Sequence, residues 1–142
     1  MRKLVYETIF DKMVKIGILD KEGKPTFEEY MKIENGPSYM PLSLDKLYSN
    51  KDGQVRISMA HNFIQNGDVM ADPDMEIRIY PEQKMAEALT YQLDSLGVYN
   101  VVYPEENLVD VSMKKRLNAF LNSWLSNLIE EGFTAKNATK IV

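Results

Sequence analysis

The sequence predicts an α+β fold: an antiparallel sheet of about four to five strands, covered by an N-terminal helix and a long C-terminal helix. Apolar residues recur at helical spacing near both ends of the chain, whereas the middle alternates apolar and polar residues as strands with one buried face do. A length of 142 residues and a hydrophobic content of 44% are ordinary for a globular chain, so residues 1–142 are predicted to form a single domain.

The first helix is predicted over residues 3–16. Val5, Ile9 and Met13 fall on one face of it, with charged residues between them. Gly17 then provides the stop that a left-handed C-terminal cap requires.

The sheet is predicted within residues 38–103. Before it, residues 26–29 fit a capping box and predict the start of a short helix. Pro41 makes the first extended segment an edge strand or one that starts late. Asn66-Gly67 opens a polar loop that Asp72-Pro73 closes. The extended segments are predicted at residues 39–48, 54–63, 75–80, 84–92 and 98–103, with a hairpin turn at residues 50–53.

The C-terminal helix is predicted over residues 110–131, started by Asp110 or Ser112 and stopped by Gly132. The polar tail after it, residues 134–142, is predicted to be frayed. A broad apolar stripe on the helix indicates the face that packs on the sheet. The stripe consists of Met113, Leu117, Phe120, Leu121, Trp124, Leu125 and Leu128.

Composition excludes several classes of protein. The chain has no cysteine, which excludes disulfides and thiolate chemistry and fits a reducing cytoplasm, the predicted location. No apolar run reaches the ~20 residues that span a bilayer, so no membrane association is predicted. The net charge of −4 argues against direct nucleic-acid binding, and the cluster at residues 114–116 is interpreted as a solvated helix face.

The single histidine, His61, alternates in register with Val55, Ile57 and Met59. It is therefore predicted to point towards the core near a strand end. Two interpretations follow: a hydrogen-bonded histidine at the edge of the core, or a general base or pH-sensitive group.

The segment from His61 onwards is the most distinctive part of the chain, because it holds more polar groups than a turn requires. Three interpretations are open: turn-forming side chains, a partner-binding loop, or a divalent-cation site whose spacing does not match an EF-hand. No catalytic residue, metal ligand or cofactor is predicted. The predicted binding residues are His61, Asn62, Gln65, Asn66, Asp68, Asp72 and Asp74.

Tyrosines are frequent in the predicted sheet. If several share the open face, they form the rigid aromatic surface that protein interfaces favour. Ordinary strand propensity is the alternative explanation. The residues concerned are Tyr39, Tyr80, Tyr91, Tyr99 and Tyr103.

Several motifs carry a resemblance: SYMPL at residues 38–42, ISMAHN at 57–62, QNGD at 65–68, ADPDME at 71–76 and DSLGVY at 94–99. Together they resemble an uncharacterised bacterial domain family found on conjugative elements and phages. The C-terminal helix, with FLNSWL, is similar to a second short uncharacterised bacterial family. The resemblance covers roughly residues 38–132. It implies a mobile-element or phage context and supplies no catalytic residue.

These observations favour a non-enzymatic protein-binding module of phage or mobile-element origin, such as an inhibitor of a host defence system (CRISPR or restriction). One alternative is a metal-assisted hydrolase or nuclease that uses residues 61–74. Another is a small-ligand sensor built on the open face of the sheet. A protein partner is predicted, and an exposed open face is also compatible with a homodimer.

Overall fold

The computed structural model describes residues 3–47 and 55–142 and shows an α+β fold with two α-helices and an antiparallel sheet. Within these residues the sheet has eight strands, which exceeds the roughly four to five predicted. The elements are α1 (Val5–Ile16), β1 (Tyr30–Ile33), β2 (Leu42–Leu47), β3 (Val55–Gln65), β4 (Asp68–Tyr80), β5 (Met85–Ala88), β6 (Thr90–Leu93), β7 (Val98–Val101), α2 (Val111–Glu131) and β8 (Ala138–Ile141), with 3₁₀ turns at Asp94–Leu96 and Ala135–Asn137.

The strands lie in the order β7-β6-β4-β3-β2-β1-β8, and β5 also pairs with β4. β5 and β6 therefore divide the single strand predicted over residues 84–92, and both pair with β4. β2 lies between β1 and β3, so Pro41 precedes a strand that starts late and not an edge strand. The hairpin turn predicted at residues 50–53 lies outside the described residues.

Both predicted long helices are confirmed. Gly17 (φ 98°) ends α1 and Gly132 (φ 94°) ends α2, each in the left-handed conformation that glycine adopts without strain. Asp110 caps α2, because its Oδ1 accepts a hydrogen bond from Met113 N at 2.9 Å. Lys12 ties the helices together by donating to Asn122 Oδ1 at 2.7 Å.

The core lies between these helices and one face of the sheet, where apolar side chains alternate along each strand. Each helix contributes its predicted stripe, although Phe120 stays partly exposed at the margin. Fully buried side chains include Ile9, Met13, Leu42, Leu44, Ile57, Met59, Met75, Ile77, Leu121 and Leu125.

A long β-hairpin replaces the polar loop that was predicted between Asn66 and Pro73. Asn66 (φ 53°) and Gly67 (φ 85°) both occupy the left-handed region, which a two-residue hairpin turn requires, so β4 begins directly at Asp68. Gln65 pairs with Asp68, and pairing continues to Asn62 with Ala71. The register then shifts by one residue before Ala60 pairs with Asp74. The prediction of a loop was therefore wrong.

Two further predictions are wrong. The short helix predicted from residue 26 is absent from the described residues, where β1 forms instead and pairs with β2. The tail predicted to be frayed forms β8, which pairs with the other side of β1. Val142 O accepts hydrogen bonds from the N–H groups of Glu28 and Glu29 at 3.0 and 2.9 Å, so the end of the chain is held.

Ending the chain after Asn137 is expected to lower the free energy of unfolding by at least about 2 kcal/mol. The change removes β8 and the four backbone hydrogen bonds of Val142, each worth about 0.5–1.5 kcal/mol net. Urea unfolding followed by circular dichroism measures the change. The control is a full-length chain carrying Ile141→Ala and Val142→Ala, which keeps the backbone pairing and should lose less. Equal stability of the shortened and full-length chains would restore the frayed-tail interpretation.

Candidate functional site

The face of the sheet opposite the helices, called the open face below, carries most of the polar side chains of β2, β3 and β4. Directly paired residues point to the same side of a sheet, so they form rows across this face. An apolar groove lies at one end, carboxylates in the middle and two arginines at the other end. In that order the rows are Ile64 with Val69, Asn62 with Ala71, Ser43 with Ala60 and Asp74, Asp45 with Ser58 and Glu76, and Leu47 with Arg56 and Arg78.

His61 lies on the other face, towards the helices, as predicted. Its ring centroid is 5.5 Å from that of Trp124 and 5.7 Å from that of Phe133. Its Nδ1 is 3.4 Å from Pro41 O. Burial lowers the pKa of His61, because an apolar setting disfavours the charged ring. The prediction of a hydrogen-bonded histidine at the edge of the core is confirmed.

The hairpin tip holds Gln65, Asn66 and Asp68, all exposed. Asn66 adopts the left-handed backbone conformation that the turn needs, so it has the turn-forming role considered for this segment.

Asp72 and Asp94 join β4 to the 3₁₀ turn. Asp72 Oδ1 accepts from Ser95 N at 3.2 Å, and Asp94 Oδ2 accepts from Ala71 N at 2.8 Å. The Asp72–Pro73 peptide bond is cis. Each aspartate accepts a backbone hydrogen bond from the other segment, so the contact between the two segments explains the presence of Asp72.

Asp74 lies on the open face, in the carboxylate rows. Burial raises its pKa first, and the neighbouring carboxylates of Glu76, Asp94 and Asp45 raise it further. Burial also raises the pKa of Asp45. The register places Asp45, Asp74 and Glu76 in neighbouring rows, so the middle of the open face carries a cluster of carboxylates.

The structure thus separates the predicted binding residues. His61 and Asp74 lie on opposite faces, and the tip residues lie beyond both. Over residues 3–47 and 55–142, no group of three or more histidine, aspartate or glutamate residues is placed to hold a metal ion.

We call the far end of the β3–β4 hairpin, residues 62–71, the hairpin arm. A groove of about 510 Å³ adjoins it. Ile64 and Val69 pair across the arm and are 75% and 72% exposed. The Asn62 side chain faces the groove, and its buried Oδ1 has no hydrogen-bond partner among the described residues. Besides these three, the groove is lined by Tyr30, Lys32, Pro41, Ser43, Asp45 and Phe63.

Glu87, on β5, is the centre of a buried polar cluster and is only 3% exposed. Its Oε1 accepts from Tyr80 OH at 2.5 Å, and its Oε2 accepts from Tyr103 OH at 2.9 Å. Lys114 Nζ lies 3.5 Å from Oε2, and Arg78 Nη1 lies 3.8 Å from Oε1. One buried carboxylate therefore receives two hydroxyl donors and two cations.

The pKa shifts in this cluster keep its tyrosines and its lysine protonated around Glu87. Burial raises the pKa of Tyr80 and that of Tyr103, and the hydrogen bond to Tyr103 raises the pKa of Lys114. All three groups therefore keep their protons at neutral pH. A tyrosinate nucleophile or a neutral lysine base would need shifts in the opposite direction.

The tyrosines predicted to build an aromatic surface are divided among several places. Tyr99 is exposed on the open face, and Tyr103 lines a small niche beside it. Tyr91 lies towards α2, with its ring 5.1 Å from that of Phe120, and Tyr39 packs on Phe133.

Sequence reasoning missed four residues that the structure makes prominent. Glu87 stands between two alanines in an alternating segment, which is a signal for a buried charge on a strand. Asn118 interrupts the apolar stripe of α2, and its Oδ1 accepts from Ala88 N at 2.8 Å. Arg56 and Arg78 carried no local signal, because only the register of the hairpin brings them together.

Comparison with known proteins gives a family and no relative of known function. A family model described as "Domain of unknown function (DUF6908)" matches residues 8–134. No curated protein matches the chain, and no solved structure matches it. Among the described residues, neither helix is long and apolar enough to cross a membrane.

Proposed function

The chain belongs to the family described as "Domain of unknown function (DUF6908)", and because that description names no activity, we propose a function from geometry. The protein is a non-enzymatic protein-binding module that docks through the hairpin arm and the adjoining groove. The observation that carries the proposal is the exposed pair of Ile64 and Val69 on the arm.

Single exposed apolar residues are normal on protein surfaces. Ile64 and Val69 differ because they are directly paired and continue into a groove that also contains Phe63 and Pro41. Contiguous apolar patches of this kind mark interaction sites. An unsupported two-stranded ribbon is also marginally stable in water, so a partner that covers the arm would stabilise it.

The surroundings of the groove indicate the chemistry of the partner. Asp45 borders the groove, and Glu28 and Glu29 lie exposed beside Asp45. The lysine in the groove lining, Lys32, is paired with Glu34 at 3.3 Å. We propose a partner that inserts an aliphatic or aromatic side chain and carries lysine or arginine next to it. A second copy of the chain is a poorer occupant, because its own acidic groove margin would meet the acidic margin of the first copy. Each copy also carries a net charge of −4.

Asn62 adds a polar requirement. A buried acceptor without a hydrogen bond costs about 1–3 kcal/mol, so a donor from the partner would be favoured there. Asn62 Oδ1 is such an acceptor among the described residues, and Asn62 lines the groove. The proposed partner therefore donates an N–H or O–H group to Asn62 while its apolar side chain contacts the arm.

The biological setting we propose is a phage or mobile element, with inhibition of a host defence protein as the purpose of binding. The motif resemblance supports this setting. A small acidic chain with an exposed binding arm is suited to occupying a basic surface on such a protein.

The test is affinity capture from a bacterial lysate with quantitative mass spectrometry. The baits are the wild-type chain, a double variant Ile64→Asp and Val69→Asp, and the control Leu96→Asp. Leu96 is as exposed as Val69 but lies in the 3₁₀ turn. We expect the double variant to recover at least about tenfold less of a stoichiometric partner, because truncated interface anchors cost about 1–2 kcal/mol or more each.

Circular dichroism and a melting scan check that the double variant is folded, since neither side chain is part of the core. Undiminished capture by the arm variant, or no stoichiometric partner at all, contradicts the proposal. A dimer seen by light scattering and abolished by the same variant would instead make a second copy the occupant.

A further inference from the structure

Arg56 and Arg78 lie directly opposite each other on β3 and β4, on the open face. Like charges in directly opposed positions destabilise a sheet, so this pair needs compensation. Arg78 is compensated in part, because its Nη1 donates to Tyr80 OH at 3.3 Å and lies 3.8 Å from Glu87 Oε1. Arg56 has no comparable described neighbour: Leu47 is its partner on the other strand.

Both guanidinium groups have an unused donor. The Nε atoms of Arg56 and Arg78 are buried and have no hydrogen-bond partner among the described residues. Buried donors in proteins are nearly always paired, with protein atoms or with a bound molecule. Because Arg56 and Arg78 are directly paired on adjacent strands, one acceptor could serve both donors.

The two arginines line one niche of about 200 Å³ on the open face. Glu76 is the single carboxylate among its lining residues, so two positive charges meet one negative charge. Glu87 does not change this balance, because Lys114 offsets its charge. Counted over its lining residues, the niche has one positive charge in excess, which favours an anion at the arginines and away from the neighbouring carboxylate rows. Its other lining residues are Leu89, Thr90, Tyr99, Val101 and Tyr103.

We propose that Arg56 and Arg78 form a binding site for one oxyanion, a carboxylate or a phosphate group. Guanidinium groups bind such anions with paired, charge-assisted hydrogen bonds. The volume suits a single anionic group, since sites for whole drug-sized ligands are larger, at about 300–1,000 Å³. The site lies at the opposite end of the open face from the hairpin arm and does not depend on the proposed function.

The decisive variant is Arg56→Gln, for which stability and binding should change in different directions. Removing Arg56 ends its repulsion with Arg78 and breaks no described hydrogen bond, so the melting temperature should stay the same or rise. Oxyanion affinity should fall at least about tenfold, because one of the two charge-assisted contacts is lost. Arg116→Gln is the matched control, since Arg116 is exposed on α2.

Binding is measured by NMR from the Nε–Hε resonances of Arg56 and Arg78, at constant ionic strength set with sodium chloride. The probes are inorganic phosphate, acetate and a short polyglutamate peptide. Saturable shifts with phosphate or acetate would assign a free anion. Saturation by polyglutamate alone would assign a side-chain carboxylate of a larger ligand.

The proposal is overturned if none of the three probes shifts these resonances saturably. It is equally overturned if Arg56→Gln binds the probes as tightly as the wild-type chain and Arg116→Gln do. A melting temperature that falls in Arg56→Gln by several degrees would assign Arg56 a structural role in place of a binding one.

Discussion

Replacing Glu87 with glutamine is expected to lower the free energy of unfolding by about 3 kcal/mol, because breaking a buried ion pair leaves its partners without compensation. Arg78 and Lys114 would lose their shared counter-charge. Their side chains are 18% and 32% exposed, so water relieves part of the loss, and the expected cost lies at the lower end of the usual range of about 3–5 kcal/mol. The hydroxyls of Tyr80 and Tyr103 would also lose their charged acceptor.

Urea unfolding followed by circular dichroism measures this change, and Glu130→Gln is the matched control because Glu130 is exposed on α2. The control should stay within about 0.5 kcal/mol of the wild-type chain. Adding Lys114→Gln to Glu87→Gln should cost less than the two single changes together, since both remove the same interaction. A loss below about 1 kcal/mol for Glu87→Gln would mean that water, and not Glu87, balances these cations.

The two long helices could be predicted because their signals are local. Residues 3–16 and 110–131 each combine an apolar face with a glycine stop, and these determine a helix without reference to the rest of the chain. The structure ends both helices at the predicted glycines, Gly17 and Gly132.

The register of β3 and β4 could have been worked out from the sequence. If the pairing of β3 with β4 continued without interruption from the two-residue turn, Ile57 would oppose Glu76. An apolar core residue would then be paired with a charged one. One irregularity of a single residue removes that conflict, and the structure has it between Ala60 and Asn62, so that Ile57 opposes Ile77. The same shift places Arg56 opposite Arg78, which explains why neither arginine stood out.

β1 and β8 could not have been predicted in the same way. Each has only four residues. β8 pairs with β1, from the opposite end of the chain, and β1 lies between β8 and β2. Short strands of this kind depend on pairing with strands that are distant in sequence, and local sequence patterns do not predict such pairing. A capping-box pattern at residues 26–29 therefore suggested a helix where the sheet continues.

The predicted binding residues and the docking surface proposed here share one hairpin but rest on different side chains. Polar density drew attention to His61 and Asp72, which the structure uses for packing and for joining two segments. The exposed apolar pair, Ile64 and Val69, did not stand out because neither lies in a predicted strand: Ile64 follows the segment at residues 54–63, and Val69 lies in the predicted polar loop. Their exposure follows from how far the hairpin extends beyond β2, whose pairing with β3 begins at Leu42 and His61.

Leu125→Ala is expected to destabilise the protein by about 3 kcal/mol, within the range of about 2–5 kcal/mol for buried leucines. Leu125 lies on the predicted stripe of α2 and is 0% exposed. Alanine is at least as good a helix former as leucine, so the loss would come from packing in the core and not from helicity.

Fluorescence of Trp124, the single tryptophan, follows the unfolding in urea from the neighbouring position in the core. Leu96→Ala makes the same change at a side chain that is 72% exposed, and it should stay within about 0.5 kcal/mol of the wild-type chain. An unchanged dependence on urea concentration would show that both variants unfold from the same compact state. Equal effects of the two substitutions would contradict the burial of Leu125 in the core, because burial is what distinguishes these leucines.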